Sequence, residues 1–589
     1  MTTLIADVES DNIWPALTKL WCIQIGDADG EDVTVYADQE GFPPIAEAIE
    51  RLKAADRYVF HHGLGFDMWA INKFYPGTIE RSKLFDTLVA ARLMEPEERA
   101  HSLDDWGQRL GVLKGKYQGD FQTFDDHLVE YAKQDIVVTR ALYHKVREVE
   151  EWGHSLQLEH DVAFNIILQE RNGWQFNVAG AQELDATLRG EMAQLEADLR
   201  KSFPPIAHVT ISKATNRKLG YVKGQPRTKW EMFESGSRHH IARRLQALGW
   251  RPQSFGKDGT PTVDEKILAE MPWPEAKLLL KFLRTQKLLG QLSDGKNGWL
   301  KMVQPDGRIY GRVNPNGAVT GRMSHFKPNI AQCDKDERMR RLWTARPGWK
   351  LVGCDADALE ARLLGHYLAR YDGGAFVKVL LEGKKEDGSD IHSRNRDAVR
   401  SAGFAVDRDG SKTLLYALIY GAGDWKLAAT VKDNLRAIGK PIPKIPHKEM
   451  GLLVRRALAR SMKGIDTLIE QIKKASERGY LTGLDGRHLY VRSDHAALNT
   501  LLQSAGSCCM KRALVLFMNE AETQGAIHGV DFGLVGNIHD EIELEAPPSS
   551  AECFGKEMAY SIQLAGEYYN LRCPLSGAYA VGDNWHDCH

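Results

Sequence analysis

Lys350 to Arg370 reads KLVGCDADALEARLLGHYLAR, and the spacing of its apolar residues changes once. Leu351, Val352, Gly353 and Cys354 make a short apolar run suited to a buried strand. After Asp355, the residues Leu359, Leu363, Leu364, Tyr367 and Leu368 recur at helical spacing. Asp355 therefore stands where a strand passes into a helix, with Glu360 in the first turns of that helix. A carboxylate at the mouth of a buried strand is costly without a partner, and a divalent cation is the usual one.

A second stretch, VGNIHDEIELE (Val535–Glu545), alternates apolar and acidic residues beyond His539-Asp540. That is the pattern of a hairpin with Asp540 and Glu541 at its tip. An acidic pair in such a place is ordinarily a solvated turn. Taken with Asp355, it supplies two carboxylates from separate strands, as two-metal phosphoryl transfer requires. Between the two lies RDGSKTLLYALIYGAG (Arg408–Gly423), where Arg408, Lys412, Tyr416 and Tyr420 fall four apart on one broad helical face. Two cations followed by two aromatics could border a core. They also suit a triphosphate at one end and a stacked base and sugar at the other.

These three stretches resemble motifs A, B and C of the family-A, polymerase-I-like DNA polymerases. VNPNGAVTGR (Val313–Arg322), PNIAQ (Pro328–Gln332), GLDGR (Gly483–Arg487) and HAALNTLLQSAG (His495–Gly506) are similar to the replicative polymerases of T-seven-like phages. The resemblance implies a template-directed polymerase with two Mg²⁺ ions (Mn²⁺ substituting) held by Asp355, Asp540 and the backbone carbonyl of Ala356, with Glu541 beside them. It places Arg408 and Lys412 on the β- and γ-phosphates, Lys412 also protonating the leaving group, and His392 on a further phosphate. Tyr416 and Tyr420 would pack on base and sugar, and Glu360 would exclude a ribose 2′-hydroxyl. Arg322 would hold DNA backbone phosphate, Asn499 and Gln503 would meet minor-groove acceptors shared by every correct pair, and His539 and Arg487 would also touch DNA.

Nearer the N-terminus, Leu4–Glu9 reads as a strand with Asp7 and Glu9 on one face, and Trp21–Asp27 as a second strand. Asp67 opens a helix after a Gly-containing loop, and Phe85–Met94 reads as a further helix. YAKQDIVVTRALY sets Tyr131 and Asp135 one turn apart on the same side of a helix. In this order Asp7, Glu9, Asp67, Tyr131 and Asp135 resemble the DEDD exonucleases of the tyrosine subtype. The resemblance implies a ribonuclease-H-like sheet, a second pair of Mg²⁺ ions and 3′→5′ proofreading. His62 stands where the phage relatives have an asparagine.

A chain of 589 residues exceeds a single core. The fold expected is an α/β multidomain chain: a ribonuclease-H-like exonuclease domain over residues 1–150, then a right-hand polymerase. Its parts are a linker helix and thumb (151–300), palm (301–370), fingers (371–475) and the rest of the palm (476–589). A net charge of -2 carries no global signal for nucleic acid, so any such surface is local. Lys201–Arg251, with Lys213, Arg217, Lys223, Arg227 and Lys229 among its cations, reads as a loop able to meet phosphates. Eight cysteines without a CxxC pair indicate a reduced, intracellular chain. The N-terminus lacks the pattern of a signal peptide, and no run approaches the roughly 20 apolar residues of a membrane span.

The resemblance further implies primer–template DNA and dNTPs as partners, with a phage helicase-primase and a single-stranded-DNA-binding protein in the cytoplasm of an infected bacterium. Host thioredoxin is disfavoured, because the thumb segment that would capture it is short. Two other readings share the motifs: a single-subunit RNA polymerase, opposed by Glu360, and a silent DNA-binding scaffold, opposed by the full set of carboxylates.

Overall fold

The computed structural model describes residues 2–588 apart from 216, 217, 219 and 221, so Arg217 lies outside the described residues. Five strands, β1 (Thr3–Ser10), β2 (Leu20–Asp27), β3 (Val33–Tyr36), β4 (Arg57–Phe60) and β5 (Leu84–Asp86), form one sheet in the order β3-β2-β1-β4-β5. The first three strands are antiparallel neighbours, whereas β4 and β5 join parallel. This is a ribonuclease-H-like topology. Both faces are covered. Leu4, Ala6 and Val8 pack on one side of β1, and Ile5 joins the core on the other. Asp7 and Glu9 share the face of Ile5, because side chains alternate along a strand. Helix α1 (Asp67–Phe74) follows the loop after β4, and α2 (Asp126–Val146) packs its Ile136 and Leu142 into the same core as Ile5. The expected helix at Phe85 starts two residues later. Leu84–Asp86 is the edge strand, and the Asp86 carboxylate caps the helix by accepting from the Leu88 and Val89 N–H groups.

Helix α3 (Ser155–Asn172) ends at Gly173, whose φ of 63° only glycine adopts cheaply there. A helical arm follows: the 25-residue α4 (Val178–Ser202) returns through α5 (Pro274–Leu289), with Leu199, Phe203, Ile241, Leu279 and Phe282 in its core. The basic stretch between them is not simply a loop. It carries a hairpin, β6 (Ile206–Ile211) and β7 (Pro226–Glu231), and then a helix over Arg238–Ala247. The register sets Val209 against Thr228 and Ala207 against Trp230, while His208 meets Lys229 and Thr210 meets Arg227. The ribbon is therefore apolar on one face and basic on the other.

The central sheet consists of β8 (Lys350–Ala356), β9 (Gly533–Ile538), β10 (Glu541–Ala546) and β11 (Gly577–Gly582), ordered β9-β10-β8-β11 with every neighbour antiparallel. The core on one face takes Val352 and Cys354 together with α6 (Leu359–Asp372) and the long, mostly buried helix α9 (Ala497–Thr523). Cys509 lies in this core, and Cys508 is equally buried. Trp174, Trp343 and Trp585 close the other face. Between α6 and α9 the chain makes a helical subdomain that includes α7 (Ile391–Ser401) and α8 (Arg408–Ile419). Among the described residues no helix is long and apolar enough to cross a membrane.

Candidate active site

Asp355 is the sixth of the seven residues of β8, and Asp540 follows His539 in the turn between β9 and β10. The register sets Asp355 opposite Glu541, and the Ala356 N–H donates to the Asp540 carbonyl at 3.1 Å. Strand end and hairpin tip are thereby fastened to each other. His539 and Ala358 both hold left-handed backbone, at φ 61° and 49°. Residues with a β-carbon avoid that region, so each carboxylate-bearing turn is set by its surroundings rather than by local preference. Burial, and next the Glu360 carboxylate, push the Asp540 carboxyl up. This donor set, hard oxygens crowded by a third acid, suits a divalent cation.

The remaining acids of the hairpin are not solvated. Glu541 is buried and accepts from the Trp585 indole N–H at 2.8 Å. Glu543 is wholly buried, and burial, with the Glu541 carboxyl beside it, pushes its carboxyl well above the ordinary carboxylate range. Glu545 is held charged by Arg308 at 2.6 Å and Arg346 at 2.7 Å. The alternation that the sequence displays is real, but a second layer covers its acidic face.

Helix α8 turns the expected stripe toward this pair. Tyr416 and Tyr420 have ring centroids 6.4 Å apart, and His392 on α7 lies 6.5 Å from Tyr416. The Tyr416 hydroxyl is pushed up by burial and then by the charges of Glu360 and Asp540. Lys412, Tyr416 and Tyr420 line a cleft of 740 Å³. Arg408 does not stand free in it: its guanidinium meets Asp390 at 2.9 Å. Burial alone would raise Asp390, yet Arg408 and the Ser393 hydroxyl hold it at about 2. Glu360 accepts from the Tyr420 hydroxyl and from Arg322, each at 3.1 Å.

Of the residues expected at DNA, Asn499 and Gln503 lie one turn apart on α9, and the amide oxygen of Asn499 is buried without a partner. The Ser507 hydroxyl, a contact the sequence did not suggest, donates to the Gly321 carbonyl at 2.7 Å and anchors the segment bearing Arg322 to α9. His539 is exposed at the hairpin tip. Arg487 is a correction. Only 2 % of it is exposed, and its guanidinium is taken up by Asp485 and Glu159, each at 2.6 Å. Lys511 of α9 also meets Glu159. Four charges neutralise one another out of water, so Arg487 joins α3 to the central domain and cannot reach a phosphate.

A second acidic pocket opens on the N-terminal sheet. Ligand oxygens of Asp7, Glu9 and Asp135 all lie within 4.8 Å of one another. Burial, and next the charge of Asp7, push the carboxyl of Asp67, at the start of α1, well above the ordinary range, and one of its oxygens and one of Asp135's are buried without a hydrogen-bond partner. Burial, and next the charge of Asp135, hold Asp7 at about 7. Burial and Asp7 hold Glu9 at about 9. Unpartnered acid oxygens this close fit a divalent cation. Tyr131 sits one turn from Asp135, its hydroxyl pushed to about 12 by burial and by that carboxylate. The sequence did not suggest Lys114, whose ammonium lies 2.8 Å from Asp135. The Gln24 amide, donating to Asp7 at 2.7 Å, was equally unforeseen.

Residues 210–587 match the model of DNA polymerase family A. The chain is 30% identical to the DNA-directed DNA polymerase of Enterobacteria phage T3 and 29% to that of Escherichia phage T7, in both cases over 100% of each chain. Those alignments span 721 positions against a chain of 589, so the relatives carry segments that this chain lacks. DNA polymerase I of Aquifex aeolicus is 25% identical over 96% of this chain and 94% of its own. In fold the chain is similar to the POL domain of Pol1 from M. smegmatis, solved with DNA primer-template and dNTP. The TM-score is 0.71 at 18% identity, covering 100% of this chain and 96% of that one. Family A enzymes depend on metal ions, in keeping with the acidic cluster described above. The chain belongs to DNA polymerase family A and is a template-directed, DNA-directed DNA polymerase.

Proposed function

We propose that the enzyme extends a primer 3′-hydroxyl at Asp355 and Asp540, and removes misincorporated 3′ ends at Asp7, Glu9, Asp67 and Asp135. The observation that supports the first half is the hydrogen bond from the Ala356 N–H to the Asp540 carbonyl, which ties the strand bearing Asp355 to the hairpin tip bearing Asp540. The polymerase would comprise the helical arm (151–300) as thumb, the central sheet (301–370 and 476–589) as palm and the subdomain at 371–475 as fingers, with the exonuclease at 1–150.

Asp355, Asp540 and the Ala356 carbonyl would hold two Mg²⁺ ions, or Mn²⁺ in their place, and Glu541 would steady the hairpin beneath them. When bound, such ions lower the pKa of the 3′-hydroxyl and neutralise charge on the triphosphate. The protein's own part is positioning. Lys412 meets the β- and γ-phosphates and gives a proton to the departing pyrophosphate. Arg408 exchanges Asp390 for phosphate as the fingers close, so the clamp assembles late. His392 adds a phosphate contact, and Tyr416 and Tyr420 support base and sugar. Glu360, held by Tyr420 and Arg322, fills the space of a 2′-hydroxyl. Asn499, Gln503, His539 and Arg322 line the primer–template. In the second site Tyr131 would orient the attacking water, with two cations among the four carboxylates.

The phage relatives favour replication of phage DNA in the cytoplasm of an infected bacterium, with a helicase-primase and a single-stranded-DNA-binding protein as co-workers. The short hairpin β6–β7 leaves little room for a thioredoxin-capturing insertion. Primer extension with Mg²⁺ and dNTPs tests the first half of the reading: Asp540→Ala should abolish extension while leaving primer–template binding intact.

A further inference from the structure

We infer that Lys114 is a resident counter-cation of the acidic pocket on β1 and α2, competing with metal for Asp135 so that the pocket fills completely only when a DNA 3′ end enters. The inference rests on the nuclease reading of that pocket.

The lysine is placed there by built contacts. It follows the short helix Leu103–Leu110, which stops at Gly111 with φ 72°. The Val112 N–H then returns to the Gly107 carbonyl at 2.9 Å, and the Leu113 carbonyl accepts from Gln134 on α2 at 2.7 Å. Gln134 immediately precedes Asp135, so the backbone of Lys114 is pinned beside its partner. Its ammonium lies 2.8 Å from Asp135 Oδ2 and 4.8 Å from the centre of the Tyr131 ring. The Lys114 side chain is 20 % exposed and that of Asp135 6 %, which takes the pair well beyond an ordinary surface bridge. Asp135 Oδ1 and Asp67 Oδ1 remain buried without hydrogen-bond partners.

Charge sets the order of filling. Asp7, Glu9, Asp67 and Asp135 supply four negative charges when ionised. The ammonium and one divalent ion leave one of these uncompensated. A second divalent ion overshoots by one positive charge, which a buried site resists. The single negative charge of an incoming phosphodiester cancels that excess. It also offers the ammonium a new acceptor, freeing Asp135 Oδ2 for the metal. Lys114 is thus a positioning residue that couples metal occupancy to substrate.

Mn²⁺ binding, followed by the loss of the free ion's paramagnetic resonance signal, tests this in the full chain carrying Asp355→Ala and Asp540→Ala to silence the polymerase site. The parent should bind one Mn²⁺ in the pocket alone and a second when a single-stranded oligonucleotide with a cleavage-resistant phosphorothioate end is added. Lys114→Met should bind both without DNA, the second roughly 10- to 100-fold more tightly than the parent does. Lys114→Arg, which keeps the charge, should follow the parent. With Asp355 and Asp540 restored, Lys114→Met should extend primers at the parental rate, showing that the chain is folded. Equal occupancy in parent and Lys114→Met without DNA overturns the role of Lys114 and leaves the nuclease reading standing. Mn²⁺ binding no different from that of Asp7→Ala/Glu9→Ala overturns both.

Discussion

The Tyr420 hydroxyl donates to the Glu360 carboxylate at 3.1 Å, joining the end of α8 to the first turn of α6. Arg322 donates to the same oxygen. Glu360 is therefore held in one position rather than left to swing, which suits the sugar-selecting role proposed for it. Glu360→Ala should raise ribonucleotide incorporation relative to deoxynucleotide by roughly 10- to 200-fold in kcat/KM, the range that small steric differences in a pocket produce. Tyr420→Phe, which keeps the ring but frees one side of the carboxylate, should give a smaller rise. Unchanged sugar selection in both variants would remove Glu360 from this role.

Arg487, held in a buried charge network, contrasts with Arg322, proposed above to meet DNA. Arg487→Ala leaves Asp485 and Glu159 buried with one cation fewer, and breaking such a pair costs about 3–5 kcal/mol. The thermal midpoint should fall sharply, while the salt dependence of primer–template binding stays parental at temperatures where the variant is folded. Arg322→Ala should do the reverse, lowering the slope of log affinity against log salt by about one. A parental melting temperature in Arg487→Ala would show that the buried network matters little.

The acidic pocket makes stability depend on pH in a definite sense. Asp7 and Glu9 titrate near 7 and 9 when folded, against ordinary values of 3.8 and 4.5. The folded state thus holds protons that the unfolded state has released, and stability falls as pH rises from about 4 through 9. Melting curves without divalent cations should show this decline, and Asp7→Asn/Glu9→Gln should flatten it. Added Mg²⁺ should restore most of the lost stability at the alkaline end, because the cation replaces the protons. A slope identical in parent and double variant would mean that these acids are not strained.

The elements that carry the two candidate sites are legible in the sequence because each follows a local rule. The strand-to-helix change at Asp355, the four-residue spacing from Arg408 to Tyr420 and the single turn between Tyr131 and Asp135 depend on neighbours along the chain. What escapes notice depends on neighbours across it. Lys114 is one lysine in an irregular segment, and only the contact of Leu113 with Gln134 brings it to Asp135. Glu545 is held by Arg308 and Arg346 and Glu541 by the Trp585 indole, partners drawn from three distant stretches. Arg487 sits in GLDGR, a stretch whose resemblance suggested DNA contact, and the sequence does not reveal that Glu159, 328 residues away, claims its guanidinium. The basic stretch hides a hairpin because its apolar residues are few and exposed, leaving only a weak two-residue period.

Two separate centres in one chain should lose their activities one at a time. Primer shortening and extension on a recessed template, with and without dNTPs, should be compared in the parent, Asp540→Ala and Asp7→Ala. The parent should extend with dNTPs and shorten the primer without them. Asp540→Ala should lose extension alone, and Asp7→Ala shortening alone. Loss of both activities in either variant, or extension that survives Asp540→Ala, would contradict the account.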